Sequence, residues 1–479
     1  MTGDQSKTGG RYTRRNFVLT GTAAGTAALA GCFGDDDEGP GGGNGGGGGD
    51  DAEGDTEVDD DVINVWHAMG GGSGDLLDEM VERYDAADTQ SEYQGSYEDI
   101  LNSLFASVEA GQAPDVVMID SLHNQQVLDA GASQSAQALL PGDYPTDNLV
   151  PAVQDFFRVD GELHSMPFNN SNAILYYNKS AYEEAGLDPE SPPETIDDVR
   201  EHCEALVDSG ATDYGISWPN HVWFVETFYS LANELILDNE NGHDGAPTTM
   251  YAETDFAHDL WSWWRDLYED DLYLNPGIEA WDESRNAFLT EQVGMMLDST
   301  AAVESTVSGA EGDPDADDID EDDVDGFELG TGFYPSPTED WTGVVIGGAS
   351  LWVSSEVSSE HEEHVGQLLA DLGSVEGQIE WHQGSGYYPI REEAMDELEA
   401  DGWFDEQPHY ATAFDQLLAT ETTPATRRML VGPAREVQLT IQETSQDIFS
   451  GSVSVEEGLE DMKASVEEEL ERYARVAGD

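Results

Sequence analysis

Val62-Ile63-Asn64-Val65-Trp66, then Gly70-Gly71-Gly72-Ser73-Gly74, then apolar residues at Leu76, Leu77, Met80, Val81 and Tyr84: this stretch decides the fold. The first segment reads as a buried strand, the glycines as a loop, and the last set has the spacing of one buried helix face. A segment around Glu92-Tyr93 and a helix from Tyr97 to Ala110 follow. Asp115-Val116-Val117-Met118-Ile119 is a continuous apolar run suited to a central parallel strand. Strand–helix–strand alternation of this kind predicts an α/β fold with a parallel sheet.

The alternation continues outward. Ala173 to Tyr177 reads as a strand, and Asp188-Pro189-Glu190-Ser191-Pro192-Pro193 as a turn leading into a helix near Ile196. Trp261, Trp263, Trp264 and Leu267 share a helical spacing expected to serve core packing rather than a ligand platform. Val293 to Leu297 is a buried strand, 311–325 an acidic insertion without apolar period, and Val344 to Val353 a strand containing Gly347-Gly348. Glycines there predict that something approaches the backbone closely. The end of the chain reads as helical.

Toward the other end, Arg14-Arg15-Asn16-Phe17-Val18 looks like a twin-arginine export signal, and Leu29-Ala30-Gly31-Cys32 like a lipobox. The segment between them is too short and too weakly apolar for a comfortable membrane span. Cys32 is thus expected to carry lipid, with an uncleaved anchor as the alternative, and the chain to work at the extracellular face of the cell membrane. Asp35 to Asp61, rich in Gly and Asp, reads as a disordered tether. Cys203 then remains alone, which precludes a disulfide within the mature chain and leaves stability to the core.

The chain carries 102 Asp+Glu against 17 Lys+Arg in 479 residues, a formal net charge of −85. Such a surface excludes a general nucleic-acid binder, because no basic face exists to displace counterions from phosphates. Disorder is excluded by the aromatic content and by 38% hydrophobic residues. The composition fits a halophilic protein: at about 1 M salt the Debye length is only ~3 Å, so self-repulsion is mostly screened.

No catalytic pattern emerges. Carboxylate pairs occur by chance at this acidity, and His361-Glu362-Glu363-His364 is not the zincin spacing, so no metal site and no cofactor are expected. Cys203 reads as a small buried residue. What stands out is aromatics beside turns: Trp66, Tyr97, Trp218, Trp223 and Tyr387. Ring faces that stack on C–H patches, with hydroxyls and backbone N–H groups alongside, suit polyols and sugars, although any one of these rings could equally belong to the core.

Pro167-Phe168-Asn169-Asn170-Ser171, Leu175-Tyr176-Tyr177-Asn178-Lys179 and Ala185-Gly186-Leu187-Asp188-Pro189 resemble the extracellular solute-binding proteins of ABC sugar importers. Trp66-His67-Ala68-Met69, Gly347-Gly348-Ala349-Ser350-Leu351-Trp352-Val353, Glu380-Trp381-His382-Gln383 with Gly386-Tyr387, and Thr426-Arg427-Arg428-Met429-Leu430 are most similar to the glycerol-3-phosphate-binding branch. The resemblance implies two α/β lobes with a ligand cleft between them, a periplasmic-binding-protein-like fold that closes like a hinge. Residues 62–172 and 328–354 are assigned to the first lobe, and 173–327 and 355–479 to the second.

Carried over from the family, the ligand positions fall on Tyr97, Ser171, Trp218 as the stacking ring, Ser299, Gly348 and Tyr387. Two positions depart. The family's hydroxyl-binding glutamate falls at Ser121, beside Asp120, and its phosphate-binding arginine at Gln438. Arg427, Arg428 and Arg435 cluster within a chain poor in cations, which suits either an anion site or pairing with surrounding acids. The resemblance implies a monomeric binding protein that hands glycerol-3-phosphate or a glycerophosphodiester to ABC permease subunits. A neutral sugar or oligosaccharide is the alternative ligand, and a secreted carbohydrate hydrolase the rival class.

Overall fold

The computed structural model describes residues 61–159, 161–312 and 326–477. The export signal, Cys32, the tether up to Asp60, and the acidic insertion beyond Gly312 lie outside them. Along the chain the strands are β1 (Ile63–His67), β2 (Thr89–Tyr93), β3 (Val116–Asp120), β4 (Ser133–Gln134), β5 (Arg158–Val159), β6 (Glu162–Leu163) and β7 (Ser165–Ser171). Then come β8 (Ala173–Asn178), β9 (Tyr214–Ser217), β10 (Tyr273–Leu274), β11 (Val293–Ser299), β12 (Leu329–Gly332) and β13 (Gly347–Ser354).

They form two sheets and one short hairpin pair, β5 with β6. The first sheet has the order β2-β1-β3-β13-β4, with β7 also paired to β13; the second runs β10-β9-β11-β8-β12. Both are mixed rather than purely parallel. In the first, β1 lies parallel to β2 and β3, but β13 runs antiparallel to β3 and β7. In the second, β9 is parallel to β10 and β11, while β8 is antiparallel to β11 and β12. The reason is the chain path. It leaves the first sheet at Ser171, enters the second at Ala173, and comes back only at β13, so β8 and β13 arrive from the other lobe rather than through a local crossover helix.

Local sequence explains the elements. The helix Gly71–Glu82 begins inside the glycine run, where a loop was expected, and buries Gly74, Leu77, Met80 and Val81. A Cβ on Gly74 would lie 2.4 Å from the Met69 carbonyl oxygen, so glycine is what lets this helix start so close to β1. Ser96 and Asp99 form a reciprocal capping box that starts the helix Tyr97–Ala110, and Thr195 with Asp198 does the same for Ile196–Ser209. In β8, Leu175 and Tyr177 enter one core while Ile174 and Tyr176 enter another, because helices cover both faces of the second sheet.

The lobe boundaries differ from the sequence expectation in two places. Segment 328–346, assigned to the first lobe, contains β12, which pairs with β8 in the second sheet. The helices Glu362–Leu372, Val375–Ser385 and Glu392–Ala400, assigned to the second lobe, place Val365, Leu368, Leu369, Leu372, Trp381 and Met395 in the core of the first. The C-terminal helices Ala434–Phe449 and Val455–Ala477 pack in the second lobe, with Val437, Ile441, Leu459 and Met462 in its core.

Candidate functional site

A cavity of about 350 Å³ opens between the two sheets. The first lobe contributes Tyr97, Asp120, Ser171, Gly347, Gly348 and Tyr387; the second contributes His221, Trp223, Glu279, Trp281, Arg285, Ser299, Arg428, Arg435 and Gln438. Asp120, Ser171 and Ser299 are each the last residue of a strand, β3, β7 and β11, so the strand ends deliver polar groups to one place. Tyr97 is delivered by the capping box at its helix start. Gly386, with φ 76°, closes the helix Val375–Ser385 in the left-handed region and turns Tyr387 toward the cavity.

The first lobe's wall is aromatic and hydroxylic. The Tyr97 hydroxyl accepts from Asn169 Nδ2 at 2.9 Å, and burial raises its pKa well above the ordinary phenol value, keeping it protonated. Tyr387 stacks on Trp381 with 6.0 Å between centroids, and Trp381 stacks on Phe168 at 4.6 Å. The glycine pair in β13 serves close approach, as its position predicts. A Cβ on Gly347 would meet the Trp223 ring at 2.7 Å, and Gly348, with φ 91°, passes so near Asn169 that a Cβ would overlap its carbonyl oxygen.

The second lobe's wall is charged. Arg428 Nε donates to Glu226 at 2.9 Å, while its Nη1 donates to Asp120 at 3.3 Å and to the Ser121 hydroxyl at 3.1 Å. Arg435 donates through both Nη atoms to Glu279, and its Nε lies 2.5 Å from Glu98. Each guanidinium therefore ties a second-lobe carboxylate to a first-lobe one. Arg285 is held by the buried Asp298, Nε to Oδ2 at 2.6 Å. Burial alone would raise the Glu279 carboxyl, but hydrogen bonds from Arg435 and Gln442 together outweigh it and hold the group below its usual range. Gln438 adds a further donor to Glu279 at 3.1 Å.

His221 caps the helix Val222–Leu231, its Nδ1 accepting from the Trp223 N–H at 3.1 Å. Burial, then the positive charges of Arg428 and Arg435, lower its pKa to about 3, so the ring is neutral at physiological pH.

The residues proposed from sequence separate into two groups. Tyr97, Asp120, Ser171, Ser299, Gly348, Tyr387 and Gln438 line the cavity. Trp218, Ser121 and Arg427 do not. Trp218 is fully buried in the second lobe's core, packed 4.3 Å from Tyr273 and stacked 6.0 Å from Trp263, so it cannot present a face to a solute. Trp223 and Trp281 provide the indole surface instead. Ser121 lies behind Asp120 as a partner of Arg428, and Arg428 rather than Arg427 reaches the cavity.

Elsewhere, Trp66 is core, as are Trp261, Trp263 and Trp264. Cys203 is buried, which pushes its thiol pKa far up. His361 pairs with Asp115 at 3.0 Å and His364 Nδ1 meets the Tyr84 hydroxyl at 3.0 Å, so these two rings serve packing within the first lobe. His221, Glu279, Trp281 and Arg285 were missed. They lie on loops or on a short helix without periodic pattern, and only the approach of that segment to the helix Ala434–Phe449 gives them a shared role.

The chain and its two-sheet cleft have relatives among known proteins. The profile of the bacterial extracellular solute-binding protein family matches residues 83–412. The sn-glycerol-3-phosphate-binding periplasmic protein UgpB of Shigella dysenteriae is 25% identical over 411 residues, 83% of this chain and 90% of the relative. Its Escherichia coli counterpart is 26% identical over 412 residues, with the same coverage. Among solved structures, the cyclic alpha-maltosyl-1,6-maltose binding protein of Arthrobacter globiformis aligns with a TM-score of 0.69 at 22% identity, over 86% of this chain and 99% of its own. UgpB from Mycobacterium tuberculosis in complex with glycerophosphocholine gives a TM-score of 0.69 at 19% identity, over 86% and 98%. The chain belongs to the bacterial extracellular solute-binding proteins, and its fold is their two-lobed α/β clamp.

Proposed function

We propose that this protein captures glycerol-3-phosphate or a glycerophosphodiester outside the cell and presents it to ABC permease subunits, without chemical change to the cargo. One observation carries the reading: Tyr97, Ser171, Ser299, Gly348 and Tyr387, ligand positions carried over from the glycerol-3-phosphate-binding branch by resemblance, converge from both lobes on one cavity. Its volume, about 350 Å³, is within the usual range for small-molecule sites. The two departures from the branch have local substitutes. Asp120 faces the cavity where the family glutamate would fall at Ser121, and Arg435, one helical turn before Gln438, supplies a guanidinium. A small glycerol head between Asp120 and the tyrosines, with its phosphate toward Arg435 and Gln438, satisfies these groups.

A second reading, a neutral sugar, is favoured by a different observation. Arg285, Arg428 and Arg435 are each already held by carboxylates, so the cavity offers little uncompensated positive charge.

The proposal extends to the rest of the chain. The mature protein hangs from lipid on Cys32 by its Gly/Asp-rich tether, works as a monomer, and depends on high salt. Thermal unfolding in molar salt with glycerol-3-phosphate, glycerophosphocholine, maltose and trehalose tests the ligand, since a ligand that binds only the folded state raises the midpoint. A rise with the glycerol compounds supports the first reading, and a rise with maltose or trehalose alone the second. Cleaved product in the recovered ligand contradicts both and supports the hydrolase. Circular dichroism after dialysis into dilute buffer tests the salt dependence; an unchanged spectrum contradicts it.

A further inference from the structure

We propose that Glu98 sets the charge this cleft admits. By holding Arg435 from the opposite lobe, it favours a solute whose phosphate carries a single charge over a phosphomonoester dianion. The inference rests on the glycerol-phosphate reading above and deepens it.

The two carboxylates on Arg435 are not equivalent. Glu279 is built into the second lobe: it takes both Nη atoms of Arg435 and accepts from Gln438 at 3.1 Å and Gln442 at 3.0 Å, from a backbone at φ 56°. Glu98 comes from the first lobe, beside Tyr97, with its side chain 49% exposed and its Oε1 2.5 Å from Arg435 Nε. It is the acid that reaches across the cavity to a cation the other lobe has already neutralised.

An anion arriving at Arg435 therefore meets Glu98 and Glu279 on the same guanidinium, with Asp120 on the same cavity wall. The other two arginines of the cavity lining do not relieve this: Arg428 is held by Glu226 and Asp120, and Arg285 by Asp298. A phosphomonoester carries close to two negative charges near neutral pH, whereas a phosphodiester carries one. Like charges brought together in a partly desolvated site repel, and the second charge roughly doubles that opposition. The diester can instead accept from the Gln438 amide and the tyrosine hydroxyls, which oppose no charge.

The test is calorimetric titration of the full chain in molar salt with sn-glycerol 3-phosphate and with glycerophosphocholine, for the wild type, Glu98→Gln and Glu98→Gln with Arg435→Gln. Wild type is expected to bind the diester more tightly. Glu98→Gln is expected to raise monoester affinity about tenfold and diester affinity much less, and the added Arg435→Gln to abolish that gain. Circular dichroism checks the fold, and Glu98→Ala replaces the glutamine variant if the latter is unfolded. An unchanged monoester-to-diester ratio overturns the inference while leaving the functional reading intact if either compound binds. A monoester gain in a protein whose wild type binds only neutral sugars upholds the role of Glu98 and overturns the reading. Failure of both compounds to bind any folded variant overturns the two together.

Discussion

Arg428 and Arg435 each join a carboxylate of one lobe to a carboxylate of the other, and their surroundings give these two bridges different work. The Arg428 side chain is 4% exposed and its partner Glu226 2%. Arg435 is 32% exposed, between Glu98 and Glu279 at 49% and 30%. The Arg428–Glu226 pair is buried and has lost its water, with Asp120 at its cavity end, so removal of the cation is felt by the whole fold. A half-exposed bridge exchanges its partners with solvent, ions and ligand at little cost. The first bridge is architecture. The second is the adjustable part of the site.

The largest expected effect breaks the buried bridge. Arg428→Gln strands Glu226 and Asp120 without a cation and should cost about 3–5 kcal/mol of stability, read from denaturant unfolding in high salt. A loss within that of an ordinary surface change would show that the pair is solvated after all. The same contrast separates two tryptophans. Trp218→Ala empties a core position among Trp263, Trp264 and Tyr273 and should cost about 3 kcal/mol or more with ligand affinity little changed in the folded protein, whereas Trp223→Ala, at a buried position that also lines the cavity, should lower ligand affinity as well. Equal effects of both substitutions on binding would return Trp218 to the site.

Acid sharpens the comparison, because His221 lies between the two arginines. With its folded pKa near 3 and an unfolded value near 6.5, the ring is neutral in the fold while the unfolded chain takes up a proton. Its contribution is complete above the unfolded value and is lost as pH falls below it, by about 2 kcal/mol at pH 5. His221→Asn, which keeps an acceptor for the Trp223 N–H, should flatten the stability profile between about pH 6.5 and 5. A slope identical to wild type would show that the imidazole titrates normally. The smallest expected effect on stability is that of Arg435→Gln, within about 1 kcal/mol, with ligand affinity falling instead. A large stability loss there would make both bridges architectural.

Much of the fold was legible because burial on both faces leaves continuous apolar runs, as in 116–119 and 293–297, and because Ser96 with Asp99 marks a helix start. Lobe membership was not. Nothing local tells Leu368 or Trp381 which of two cores to join, and β12 carries no mark that it pairs with β8 rather than with a strand of the first sheet. The site shows the same division. Tyr97 and Tyr387 stand out as aromatics beside turns and Gly347-Gly348 as glycines in a strand, whereas Ser171 and Ser299 come only from the family resemblance. Trp218 and Trp223 lie five positions apart and are both buried, and only packing decides that Trp223 also lines the cavity. Arg427 and Arg428 differ by one step in a non-helical segment, enough to send one side chain to Glu226 and the other elsewhere.

The central claim is that the two lobes grip one small intact polyol phosphate. The most direct measurement is titration calorimetry of the full chain with glycerophosphocholine in molar salt, followed by recovery of the ligand. The account predicts saturable binding of one ligand per chain, weakened in Arg435→Gln, with the compound recovered unbroken. Absence of binding by folded protein, or release of choline or free glycerol, would contradict it.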